Sequence, residues 1–173
     1  MLYPVQITCT QHPLAAEWWQ LYEEAFPVTE RRAQPQHAAA LQSPAFHCIH
    51  LSDENGFAGI MAYWKWEKMI YLEHLAICAM RRNQGLGHQA LKLLQGDVIV
   101  EIEPANDSES VRRLAFYESC GFYCLPQPHV QLAYQTGQPD VPLWLLSRPA
   151  FNAEQVGLFE KLYHDGPMQY RDM

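Results

Sequence analysis

Seven consecutive residues, Arg81-Arg82-Asn83-Gln84-Gly85-Leu86-Gly87, combine positive charge with two glycines, a composition suited to holding a phosphate. Glycine lets the backbone come close to a ligand, and the first turn of a helix points unpaired N–H groups outward. Both conditions arise at this stretch. Before it runs an apolar segment from Leu72 that suits a strand buried on both faces; after it Leu86, Ala90, Leu93 and Leu94 recur at helical spacing. A strand entering a helix through a glycine turn makes an anion seat. Two phosphate loops are excluded by missing residues. Gly87 is followed by His88 and Gln89 instead of the Lys-Ser/Thr of a Walker loop, and Ala90 stands where the dinucleotide fingerprint needs a third glycine.

A second candidate lies on the strand itself. Regular alternation places Tyr71, Glu73, Leu75 and Ile77 on one face and Leu72, His74 and Ala76 on the other. A carboxylate among apolar neighbours is paired, partly wet or raised in pKa, and the last two states make Glu73 a usable general base. A structural ion pair at a sheet edge is the alternative. His74 is the rival base, turned away by a regular strand and brought round by a bulge. The other histidines (His12, His37, His47, His50, His88, His129 and His164) have no mutual spacing that suggests a metal site, so no metal is expected.

Some thirty residues after the loop comes Phe116-Tyr117-Glu118-Ser119-Cys120-Gly121-Phe122. The Arg-x-x-Gly-x-Gly of Arg82, Gly85 and Gly87 followed by this FYxxxGF pattern resembles the GNAT superfamily of acetyl-CoA-dependent N-acetyltransferases, over roughly residues 56–147. The resemblance implies direct transfer of an acetyl group from acetyl-CoA to a primary amine through a tetrahedral intermediate. It also implies that Arg82, Asn83, Gln84, Gly85, Leu86, Gly87 and His88 hold the pyrophosphate. Leu75 and Ile77 would bond the pantetheine arm as a neighbouring strand does. N–H groups near Ile77 and Cys78 would hold the thioester. Glu73, four residues before Ile77, falls where the superfamily often keeps its base, and Tyr117 where it keeps a hydroxyl aimed at the cofactor sulfur, an acid for the leaving thiolate. Ser110 and Ala79 depart from the Asn and Pro often found there, which leaves Asn106 and Ser110 as candidates for the arm. Cys78, Cys120 and Cys124 could suggest an acyl-cysteine, yet none has a base at recognisable spacing. The alternative function is a non-catalytic acyl-CoA-binding regulatory or interaction module.

The elements that must position these groups are read from pattern. Strands are expected over Tyr3–Thr10, Phe46–Leu51, Phe57–Trp66, Met69–Cys78, Asp97–Glu103, His129–Gln135 and Val141–Ser147, and helices over Pro13–Pro27, around His37–Leu41, from Leu86, after Ser108 with Val111, Leu114 and Ala115 inward, and at about 152–164. The segment between Pro27 and Pro44, with Arg31 and Arg32, is expected either to cover the acceptor site, as in the superfamily, or to be a solvated connection. The expected fold class is α+β, an α/β sandwich: a GNAT-like mixed, mostly antiparallel sheet of about seven strands with helices on both faces. Residues 1–173 are expected to form one domain with an added C-terminal helix.

Composition narrows the class. A formal net charge of −7 disfavours binding to nucleic-acid backbone, and five cysteines without Cys-x-x-Cys spacing disfavour both a disulfide framework and a zinc site. Neither a membrane-length apolar run nor a signal-peptide layout is present, so a soluble cytoplasmic enzyme with no membrane partner is expected. Trp64 and Trp66, read as exposed, are candidates for a homodimer contact. The acceptor amine is not coded in any readable motif.

Overall fold

The computed structural model describes residues 1–171. Eight strands build one sheet: β1 (Tyr3–Ile7), β2 (Phe46–Asp53), β3 (Gly56–Trp66), β4 (Met69–Ile77), β5 (Asp97–Ile102), β6 (Tyr123–Cys124), β7 (His129–Gln131) and β8 (Val141–Arg148). Their order is β1-β2-β3-β4-β5-β8-β6, with β7 also paired to β8. The β4–β5 pairing is parallel and the remaining pairings among the described residues are antiparallel. The fold is therefore the expected mixed, mostly antiparallel sheet, with one strand more than the seven read from pattern. That strand is the two-residue β6, which ends just before Pro126 and Pro128, residues with no N–H to give a ladder.

Helices α1 (Ala15–Ala25), α2 (Gln34–Ala40) and α5 (Ala153–Asp165) cover one face, burying Trp18, Tyr22, Ala40, Phe159 and Tyr163 against Ile60, Ala62, Trp64, Tyr71 and Ala76. On the other face α3 (Leu86–Lys92) and α4 (Ser108–Ser119) bury Leu86, Ala90, Leu91 and Tyr117 against Met61, Ile70, Leu72, Val98 and Val100. Two capping boxes start the longer helices. Asp107 accepts from Ser110 N–H at 2.8 Å, and Asn152 accepts from Gln155 N–H at 2.9 Å.

Three expectations about side chains need correction. Trp64 is 1% exposed and lies under Trp66 and Tyr170, so it is no dimer contact. Val111 is half exposed; α4 turns Ser110 and Tyr117 inward in its place. The face assignment along β4 is also wrong beyond Leu72. Ala62 of β3 opposes His74 while Tyr63 opposes Leu72, leaving Glu73 as an extra residue in a bulge. From there the alternation is reset, and Glu73, His74 and Ala76 share the α1/α5 face while Leu75 and Ile77 pack on the α3/α4 side.

The far side of the sheet is tied by a buried charge cluster that periodicity gives no hint of. His129 Nδ1 donates to Glu160 at 2.7 Å and Nε2 to Glu101, while Tyr71 donates to Glu101 at 2.6 Å. Burial lowers the His129 pKa, but the two carboxylates more than reverse this and raise it to about 9, so both ring nitrogens carry protons at neutral pH. The cluster fixes β7 to β5 and α5.

Candidate active site

Strands β4 and β5 are paired from Met69 against Asp97 to Leu72 against Val100, and not beyond. Both continue, β4 to Ile77 and β5 to Ile102, so their C-terminal ends diverge. The bulge at Glu73 falls where the pairing with β5 stops, the extra residue bending β4 while its ladder with β3 continues to Ile77. Cys78 N–H is taken by the Ala58 carbonyl at 2.9 Å. This removes Cys78 from the groups expected to hold a thioester. By alternation the N–H groups of Leu75 and Ile77 face away from β3, toward the gap.

At the end of β4 the chain makes a turn over Ala79–Arg81 and then the glycine loop. Asn83 and Gly85 both have positive φ, 63° and 74°, and Gly85 is the N-cap of α3. The first helical bond runs from Gln89 N–H to the Gly85 carbonyl at 3.1 Å, so the N–H groups of Leu86, Gly87 and His88 have no helical acceptor. Gly87 is required for a different reason: a Cβ there would come within 3.0 Å of the Phe116 ring of α4. Leu86 is buried and anchors the turn. Arg82 is exposed, with Nε donating to the Ile77 carbonyl at 3.3 Å. The Gln84 side chain folds back, accepting from Arg81 Nε at 3.4 Å, and His88 Nε2 lies 3.1 Å from the Ser119 hydroxyl. Of the expected loop contacts, the backbone of 86–88 and the Arg82 guanidinium are therefore placed outward, whereas the side chains of Gln84 and His88 are engaged within the protein.

The Glu73 side chain is wholly buried, and both carboxylate oxygens are used. Its carboxylate accepts from Arg32 at 2.8 Å, Trp64 Nε1 at 2.9 Å and Tyr134 hydroxyl at 2.7 Å. Burial pushes the carboxyl up, but the Arg32 charge, the His74 ring and the Arg32 and Tyr134 hydrogen bonds outweigh it and hold the group at about 2. Neither the wet nor the raised state anticipated for a base is found; the paired state is. Arg32 comes from the polar segment between α1 and α2 and is 1% exposed, its other amino group donating to the Pro167 carbonyl at 2.9 Å. Nothing local in the sequence separates Arg32 from the neighbouring Arg31, which pairs with Glu23 at 3.3 Å on the surface. The only usable signal is that a carboxylate on a buried strand demands a cation somewhere.

His74 shares this face. Nε2 lies 2.8 Å from the Glu30 carbonyl, which can only accept, so the proton is on Nε2. Nδ1 is then a lone pair, 3.9 Å from Glu73, too far for a hydrogen bond. Burial lowers the His74 pKa below the usual histidine value and the Glu73 charge pulls it back only partly. The ring is fixed by edge contacts with Tyr22 and Phe26 at 4.9 and 4.6 Å.

Tyr117 lies across the sheet from His74, in the cluster that contains Leu75, Ile77 and Leu86. Phe116 and Phe122 flank its ring at 5.1 and 5.3 Å, and burial raises the phenol above its ordinary pKa. Ser110 is spent on the helix cap, its hydroxyl accepting from Asn106 and Asp107 N–H at 3.0 and 3.1 Å, so it is not free for a ligand arm. Among the described residues no group of three or more His, Cys, Asp or Glu side chains is arranged to hold a metal ion.

The sheet thus opens between two parallel neighbours, with a glycine turn at the mouth and a polar bulge on the opposite face. Residues 13–122 match the Acetyltransferase (GNAT) family, and the chain belongs to it. YjbC of Bacillus subtilis (strain 168), assigned as an acetyltransferase, is 27% identical over 106 residues, 58% of this chain and 54% of YjbC. The match thus spans about half the length of that relative. A Bacteroides thetaiotaomicron protein assigned to the GNAT acetyltransferases superposes with a TM-score of 0.82 at 25% identity, covering 95% of this chain and 96% of that one. A GNAT family acetyltransferase of Elizabethkingia anophelis, solved with acetyl-CoA bound, has a TM-score of 0.55 at 15% identity over 84% of this chain and 96% of that one, a likeness of fold.

Proposed function

We propose that the protein transfers an acetyl group from acetyl-CoA to a primary amine directly, without an acyl-enzyme. The observation that carries this reading is the divergence of β4 and β5 beyond Leu72 and Val100, where the two parallel neighbours no longer pair with each other. The pantetheine arm enters from the Tyr117 side and bonds Leu75 and Ile77 as a strand would. Its pyrophosphate rests on the N–H groups of 86–88 beside Arg82. The Ile77 N–H takes the developing oxyanion, and the amine approaches from the opposite side, past His74.

In this reading His74 Nδ1 receives the amine proton, directly or through a water, and Glu73 acts through it. A carboxylate held at about 2 is a feeble proton acceptor at pH 7, but as a fixed anion it favours imidazolium formation at His74. A base matters most for a lysine-like amine, whose deprotonation at pH 7 costs about 4–5 kcal/mol, against about 1 for an α-amino group. Tyr117 protonates the departing thiolate. Because burial places its phenol above 10 and a free thiol titrates near 8.5, the transfer is uphill by more than about 2 kcal/mol, and Tyr117→Phe is expected to lower kcat by no more than about tenfold. Cofactor affinity should not change, which calorimetry with CoA checks.

The test is release of free CoA thiol from acetyl-CoA across a panel of amines, with acetylated product identified by mass. Tight CoA binding without thiol release for any amine would replace this reading with that of an acyl-CoA-binding module. Binding itself is tested by Gly85→Val. A Cβ at this position meets no neighbour, yet a β-branched residue at φ 74° is strained by about 1–2 kcal/mol, so the turn must rearrange. CoA affinity is expected to fall about tenfold or more while the melting temperature stays within a few degrees.

A further inference from the structure

The glycine loop does not hold its shape unaided. Arg81, at its first position, turns its guanidinium inward rather than toward a ligand: one amino group meets Asp53 at 2.5 Å, the other donates to the Phe57 carbonyl at 3.3 Å, and Nε donates to Gln84 at 3.4 Å. Asp53 is the last residue of β2, and its second oxygen accepts from Asn55 N–H at 2.8 Å, which fixes the β2–β3 turn. The Asp53 side chain is 7% exposed and that of Arg81 16%, so the pair is partly shielded from water. A hairpin some twenty-eight residues earlier is thus stapled to the start and the middle of the loop.

We propose that Asp53 is a positioning residue for acyl-CoA: through Arg81 and Gln84 it holds residues 82–88 in the conformation that presents their N–H groups to the pyrophosphate. This rests on the cofactor reading above. The physical argument is preorganisation. Asn83 and Gly85 both sit at positive φ, a conformation a free loop visits only part of the time, and a ligand binding to the rare state loses affinity by the fraction populated. The charged staple keeps that fraction high before the ligand arrives. Neither Asp53 nor Arg81 reaches toward the slot between β4 and β5, so the chemistry after binding does not depend on them.

Asp53→Asn keeps the shape and the bond to Asn55 while removing the charge that holds Arg81. Calorimetry with CoA and steady-state kinetics on the full chain are expected to show Kd and the KM for acetyl-CoA raised about tenfold with kcat at saturation within about twofold. Arg81→Gln, which also removes the bonds to the Phe57 carbonyl and Gln84, should cost at least as much, and the double variant should be no worse than Arg81→Gln alone, because Asp53 acts through Arg81. Should Asp53→Asn fail to fold, Arg81→Gln carries the test alone. Glu54→Gln, exposed in the same turn, should change nothing. Wild-type binding of CoA with an unchanged Kd in Asp53→Asn overturns the assignment while leaving the cofactor reading intact. So does a fall in kcat that tracks a lowered melting temperature, the sign of a merely structural role. Failure of the wild-type protein to bind CoA removes both.

Discussion

Replacing Arg32 with methionine is expected to lower the unfolding free energy by about 3–5 kcal/mol, a large part of the 5–15 kcal/mol typical of a domain. Glu73 would be left as an uncompensated charge in a site with no exposure, and the Pro167 carbonyl would lose its donor. Urea unfolding followed by tryptophan fluorescence measures the loss. Adding Glu73→Met to Arg32→Met should recover most of it, because removing both charges also removes the desolvation cost that made one of them so damaging. Acid supplies a second check. The Glu73 carboxyl is depressed to about 2 in the folded protein against 4.5 ordinarily, so its contribution is complete above about 4.5 and is lost as pH falls toward 2. The gap between wild type and Arg32→Met should therefore narrow across that window. A gap that is small at neutral pH would mean that water reaches Glu73.

His74→Gln is expected to reduce kcat by about a hundredfold to ten-thousandfold with a lysine-like amine, the range typical of a positioned proton acceptor, and by much less with an α-amine. Glutamine keeps an N–H for the Glu30 carbonyl, so the ring's support is imitated while its basicity is removed. CoA affinity should hold, since His74 lies on the face opposite Tyr117. In wild type the rate should fall as pH drops through a value below about 6.5, because burial depresses the His74 pKa and the protonated ring is no base. If Glu73→Gln abolishes turnover in a folded protein while His74→Gln retains it, the base assignment is reversed.

Much of the fold can be read in the chain because the signals are local: the 3.6-residue stripes of α1 and α5, the Gly56 turn and the capping box from Asn152 to Gln155 all lie within a few residues of what they determine. The glycine loop is legible for the same reason. The chemistry of the bulge is not. One extra residue opposite Ala62 and Tyr63 resets the alternation of β4, and no residue at Glu73 or His74 marks the place, because bulges arise from the fit between two strands. The partners of Glu73 are equally invisible. Arg32 and Tyr134 are 41 and 61 residues away; Arg32 reads locally as a loop residue and Tyr134 as part of the strand expected over His129–Gln135, which ends at Gln131. Trp64 reads as exposed because pattern reports which face a residue is on, while the segment that covers that face, around Tyr170, lies about a hundred residues later.

The Arg32 network also sets an order of events during synthesis. Its members include Arg32, Trp64, Glu73, Tyr134 and the Pro167 carbonyl, the first and last being 135 positions apart. At about 5–20 residues per second a ribosome needs on the order of ten seconds to deliver that span. Over the 61 residues from Glu73 to Tyr134, Arg32 and Glu73 have been made while Tyr134 and the Pro167 carbonyl have not. The nascent chain can form the β2–β3 hairpin early, yet the polar centre of the sheet cannot close until the C-terminal segment is available.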